Sequence, residues 1–106
     1  MTISIDHLVP PKQLQALCRQ WRVAELCVFG SALRDDFRPD SDVDLLVTFM
    51  ADARWRARDL LRMQDALEAL FGRNVDLVER AAVEESENWI RRRHILDHAE
   101  PVYVSR

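Results

Sequence analysis

The run Asp42-Val43-Asp44-Leu45-Leu46-Val47-Thr48-Phe49 limits what this chain can fold into more than any other segment. A short, nearly continuous apolar run rich in β-branched residues is a buried strand. Successive side chains alternate along a strand, so Asp42 and Asp44 project from one face while Val43 and Leu45 project from the other. Two carboxylates ~4 Å apart at an effective dielectric near 20 repel by roughly 4 kcal/mol. That is a large share of the ~5–15 kcal/mol that holds a domain together. The pair calls for a cation, and a divalent metal supplies one.

The rest of the chain alternates helical and strand patterns without a linker, repeat or low-complexity tract. Pro10-Pro11, followed by Leu14, Leu17, Cys18 and Trp21, predicts a first helix ending near Arg22. Ala24 to Phe29 reads as a strand stopped by Gly30-Ser31, with a short helix opening at Ser31 as its N-cap. Pro39-Asp40-Ser41 is turn chemistry before the strand from Asp42 to Phe49. Trp55 to Phe71 carries Leu60, Met63, Leu67 and Leu70 at helical spacing, with Gly72 placed to stop it. A third strand follows at Val75 to Glu79. One helix is then predicted from Ala81 to Ala99, with Trp89, Ile90 and Leu96 among its apolar positions, and a last short strand at Val102 to Val104 beyond Pro101.

Composition narrows the class. A chain of 106 residues with 48% hydrophobic and 31% charged residues reads as one domain of an ordinary globular protein. There is no signal-peptide pattern and no apolar run of membrane-span length, so a cytoplasmic location without membrane contact is expected. A net charge of -3 argues against a surface devoted to nucleic acid. Cys18 and Cys27 match no zinc spacing and read as reduced core cysteines. His7, His94 and His98 show no spacing that argues for catalysis or metal binding. The run Arg91-Arg92-Arg93 reads as the wet face of a helix, with Glu84-Glu85-Ser86-Glu87 just upstream.

Asp76 interrupts the third strand. If that strand pairs beside Asp42 to Phe49, as strands joined by one helix commonly do, Asp76 converges on Asp42 and Asp44. Three carboxylates and water suit octahedral magnesium, and two such ions can clamp the entering and leaving oxygens of a nucleotidyl transfer. Gly30-Ser31 would take the phosphates: glycine allows close backbone approach, serine donates a hydrogen bond, and a helix N-terminus adds free N–H groups. Taken singly, each residue has a plainer reading: Asp42 as a turn cap, Asp44 in a surface ion pair, Gly30-Ser31 as a strand exit, Arg34 as a solvated arginine.

Gly30-Ser31, ten intervening residues, Asp42-Val43-Asp44, then Asp76 in a later strand together resemble the nucleotidyltransferase superfamily of DNA polymerase β. Most of the chain is similar to its minimal members, the MNT proteins, which pair with HEPN-domain partners as toxin–antitoxin systems. The resemblance implies an α/β (α+β) fold, a small mixed β-sheet with flanking helices. It implies that Asp42 and Asp44 hold two magnesium ions, that Asp76 is the third metal ligand and helps deprotonate the incoming hydroxyl, and that Gly30, Ser31 and Arg34 bind the triphosphate of ATP. At Asp35 the sequence departs from the glycine common there, so that loop is expected to differ from the family's shape. The implied function is an antitoxin that transfers AMP from ATP to a tyrosine hydroxyl of a HEPN ribonuclease toxin and so silences it. The chain has no room for an acceptor-holding domain, so a partner is expected to bring the acceptor, with Phe37 and Trp55 as candidate contacts. The alternatives are an antitoxin that neutralises by binding alone, or a nucleotidyltransferase acting on a small molecule or nucleic acid.

Overall fold

Pro11 opens α1, Pro11–Gln20, where its missing N–H costs nothing and its fixed φ suits the helix. The computed structural model describes residues 9–30 and 42–105. Leu14 and Cys18, one turn apart, are the buried face of α1. Arg22 turns the chain into β1, Val23–Phe29, through a left-handed φ of 55°. Its guanidinium pairs with Asp52 in the connection after β2, Val43–Phe49, and its carbonyl accepts from Met50 N at 2.9 Å. These contacts tie the start of β1 to the end of β2.

Helix α2, Ala57–Phe71, begins where Asp59 Oδ2 accepts from Arg56 N at 2.8 Å and ends at Gly72 with φ 70°. Strand β3, Val75–Glu79, runs parallel to β2, as a helical crossover requires. The chain continues through α3, Arg80–Glu84, α4, Trp89–His98, and β4, Glu100–Val104. The mixed sheet has the order β3-β2-β1-β4, with β1 antiparallel to both β2 and β4. A small mixed sheet with flanking helices is the architecture that the family resemblance implied.

Register decides which side chains share a face. Leu26 and Val28 lie opposite Val47 and Leu45, and Val43 lies beside Val75. This face is covered by Leu14 and Cys18 of α1 and by Met63, Leu67 and Phe71 of α2. The alternate positions Cys27, Phe29 and Leu46 meet Val83 of α3 and Ile95 of α4 on the other face. Both cysteines are free and buried, as expected.

The helix expected from Ala81 to Ala99 is two helices. Asn88 caps α4, its side-chain oxygen accepting from Arg91 N at 3.2 Å, and its own N–H reaches Ser86 Oγ at 3.3 Å. Such local bonds compete with a continuous helix. Arg92 then donates to the carbonyls of Glu84 and Ser86, which the break leaves open. Trp89 and Ile90, among the apolar positions of the expected helix, are not part of the core: they are 59% and 65% exposed, and Ile95 is the buried residue of α4. Pro101 lies within β4, at the sheet edge where a residue without an N–H is tolerated.

Candidate active site

The site is assembled at one end of the sheet, on the face that carries the smaller apolar cluster. Phe29, the last residue of β1, lies opposite Asp44 of β2, so the two side chains share that face. Asp44 in turn is the register partner of Asp76 on β3. Neighbouring strands lie ~4.8 Å apart, and in-register residues project to the same side, so Asp44 and Asp76 stand side by side. Asp42 is the exposed residue before β2, whose first residue Val43 donates to Asn74 O at 3.0 Å. The β2–α2–β3 crossover thus brings Asp76 to Asp44 from 32 residues away in sequence.

Gly30 leaves β1 with φ 70°, a conformation that L side chains rarely adopt. A Cβ at this position would overlap the Asp44 carboxylate and sit 3.1 Å from its Cγ. Only glycine fits, for its backbone angle and for its neighbour. Gly30 and the Asp44 carboxylate, 14 residues apart in sequence, are neighbours here. Ser31, Arg34 and Asp35, as well as the short helix expected at Ser31, lie outside the described residues.

The three aspartates do not close into a ready cage. Among the described residues, no three His, Cys, Asp or Glu side chains gather closely enough to hold a metal ion. Magnesium is usually held by one or two carboxylates together with substrate phosphates, and the hard oxygen donors at this edge fit that pattern. The residues present therefore suit a hard divalent ion such as magnesium, provided that part of its coordination comes from elsewhere.

Arg80, not singled out in the sequence, spans the same face at its opposite end. Its guanidinium donates to Thr48 Oγ1 at 3.0 Å and to Glu25 Oε1 at 3.2 Å. It joins α3 to β2 and β1, and nothing in a lone arginine after a strand signals this. Trp55, expected as a contact near the site, is half-buried and lies elsewhere. It packs on Trp21 with ring centroids 5.0 Å apart, its Nε1–H donates to Trp21 O at 2.8 Å, and it lies at the end of the sheet away from the aspartates. Phe37 lies outside the described residues. No helix among the described residues is long and apolar enough to cross a membrane.

The family model for the nucleotidyltransferase domain matches residues 11–101. The protein adenylyltransferase MntA of Thermococcus cleftensis is 37% identical over 67 residues, a match that spans 63% of this chain and 66% of that protein. A protein of Methanocaldococcus jannaschii, provisionally named a protein adenylyltransferase, is 32% identical over 77% of this chain and 82% of its own length. A solved structure provisionally described as a minimal nucleotidyltransferase is 33% identical, with a TM-score of 0.65, covering 87% of this chain and 88% of that one. The same fold occurs in a toxin–antitoxin complex with AMP-PNP, at 16% identity and TM-score 0.63, covering 92% of this chain and 76% of that one. It occurs again in the complex of a tri-AMPylated Shewanella oneidensis HEPN toxin with its MNT antitoxin, at 15% identity and TM-score 0.56, covering 90% and 70%.

Proposed function

This chain belongs to the nucleotidyltransferase domain family, and on that premise we propose that it is an antitoxin that transfers AMP from ATP to a tyrosine hydroxyl of a HEPN ribonuclease toxin. The observation that carries the reading is the contact between Gly30 and Asp44, with Asp76 in register beside them. It joins a turn that suits phosphates to carboxylates that suit a divalent ion. The names of two relatives as protein adenylyltransferases support the transferred group. The AMP-PNP complex and the AMPylated HEPN toxin support donor and acceptor by likeness of fold. The reading places the protein in the cytoplasm.

In this mechanism Gly30, Ser31 and Arg34 bind the triphosphate and orient its α-phosphorus toward the sheet edge. Asp76 accepts the proton of the tyrosine hydroxyl as its oxygen attacks. The new O–P bond forms in line with the bond that breaks, and pyrophosphate leaves. Asp42, Asp44 and Asp76 would hold magnesium together with the nucleotide's phosphates, and the ion would supply charge neutralisation there. The protein contributes position and electrostatics, which account for most of the acceleration in such transfers.

The test is incubation of the purified chain with its HEPN partner, magnesium and ATP labelled at the α-phosphate. The partner's tyrosine should gain label, and Asp42→Asn with Asp44→Asn should lower the rate by about 100-fold or more. Full neutralisation by that double variant, without label, would establish an antitoxin that acts by binding alone. Labelling of a small molecule or nucleic acid with no partner present would identify a different acceptor.

A further inference from the structure

Away from the aspartates, α4 presents two imidazoles on one exposed turn. His94 and His98 are four residues apart, which places them on the same helix face. Their ring centroids are 4.5 Å apart, with the planes tilted by 37°. His98 Nδ1 lies 2.8 Å from the carbonyl oxygen of His94. A carbonyl can only accept, so Nδ1 carries the proton and Nε2 of the neutral ring keeps its lone pair. This is the tautomer of a metal-ligating histidine, and a backbone carbonyl on the second nitrogen is the usual partner that holds such a ring in place. The spacing alone argued for no site; the tether of one imidazole and the second imidazole beside it do.

We infer that His94 and His98 form a bidentate site for a divalent transition ion of the zinc, nickel or copper class. Imidazole nitrogen suits those ions, whereas magnesium takes oxygen ligands, so this site is chemically separate from the aspartate edge. Asp97, the neighbouring carboxylate on the same turn, is directed to Arg93, with Nε and Oδ2 3.4 Å apart. Two protein ligands therefore leave the remaining coordination positions to water, in keeping with the lack of any three-ligand cluster among the described residues. The inference does not rest on the transfer reaction.

The full chain, freed of metal with a chelator, is titrated with zinc chloride while the histidine ring signals are followed by NMR. His94 and His98 should shift together and saturate with one ion, while His7 and the rings under magnesium chloride stay unmoved. His94→Ala and His98→Ala, both at exposed positions, should each weaken binding at least about tenfold, the loss seen when even an outer partner of a ligand is removed. Rings unmoved up to millimolar zinc would overturn the assignment. So would equal shifts at His7, or unchanged affinity in either variant.

Discussion

At the scale of single residues, Gly30 is where the fold and the site meet most tightly. Gly30→Ala must adopt a positive φ, which costs more than about 1 kcal/mol, and its methyl must displace the Asp44 carboxylate. The expected outcome is a lower urea midpoint together with a roughly 100-fold loss of transfer, since ~1 Å of misplacement has that effect on a positioned group. The cysteines report the core instead. Burial pushes the Cys18 thiol up to about 12. Burial, helped by the Glu25 carboxylate and opposed by Arg80, pushes the Cys27 thiol up to about 11. Both folded values lie above the ordinary value of 9.0. Their stabilising contribution is whole below pH 9 and is lost as pH rises through about 11 and 12. Urea midpoints measured upward from pH 8 should fall, and Cys18→Ala with Cys27→Ala should flatten that fall.

Among the elements, β3 carries Asp76 and is an edge strand of the sheet. Its outer backbone is capped by side chains of α2: Val75 N donates to Glu68 Oε2 at 2.9 Å, and Leu77 N donates to Gln64 Oε1 at 3.3 Å. These two bonds flank Asp76 and blunt an edge that would otherwise recruit another strand. Glu68→Ala and Gln64→Ala should each cost about 1 kcal/mol. The amides of Val75 and Leu77 should exchange faster in the double variant, as hydrogen exchange would show. Neither role was legible in the sequence, where Gln64 and Glu68 are polar positions of an amphipathic helix. The split between α3 and α4 was also hidden, because Glu84, Glu85 and Glu87 suit a helix and only the bonds of Ser86 and Asn88 reveal the turn. Strand β3 matched its expected bounds, and the helix ending at Gly72 matched its end, because strong periodicity and a left-handed glycine leave little choice.

For the whole molecule, the proposed reaction and the fold draw on different interactions, so they should separate experimentally. The sheet is held by Leu26, Val28, Leu45, Val47, Met63 and Leu67, all buried and apolar, and none of these needs a metal. Removing magnesium with a chelator should therefore abolish AMP transfer while leaving the circular dichroism spectrum and the thermal midpoint of the chain nearly unchanged. The sequence by itself determined most of the alternation of elements and the identity of the acidic residues, because periodicity, turn residues and motif spacing are local properties of the chain; the mixed sheet came only from the family resemblance. Which acids meet was decided by tertiary structure. Parallel pairing of β2 with β3 sets Asp44 beside Asp76, and antiparallel pairing of β1 with β2 closes Gly30 onto Asp44. Register is a relation between strands far apart in sequence, fixed by which apolar faces α1 and α2 can cover, and no single segment contains it.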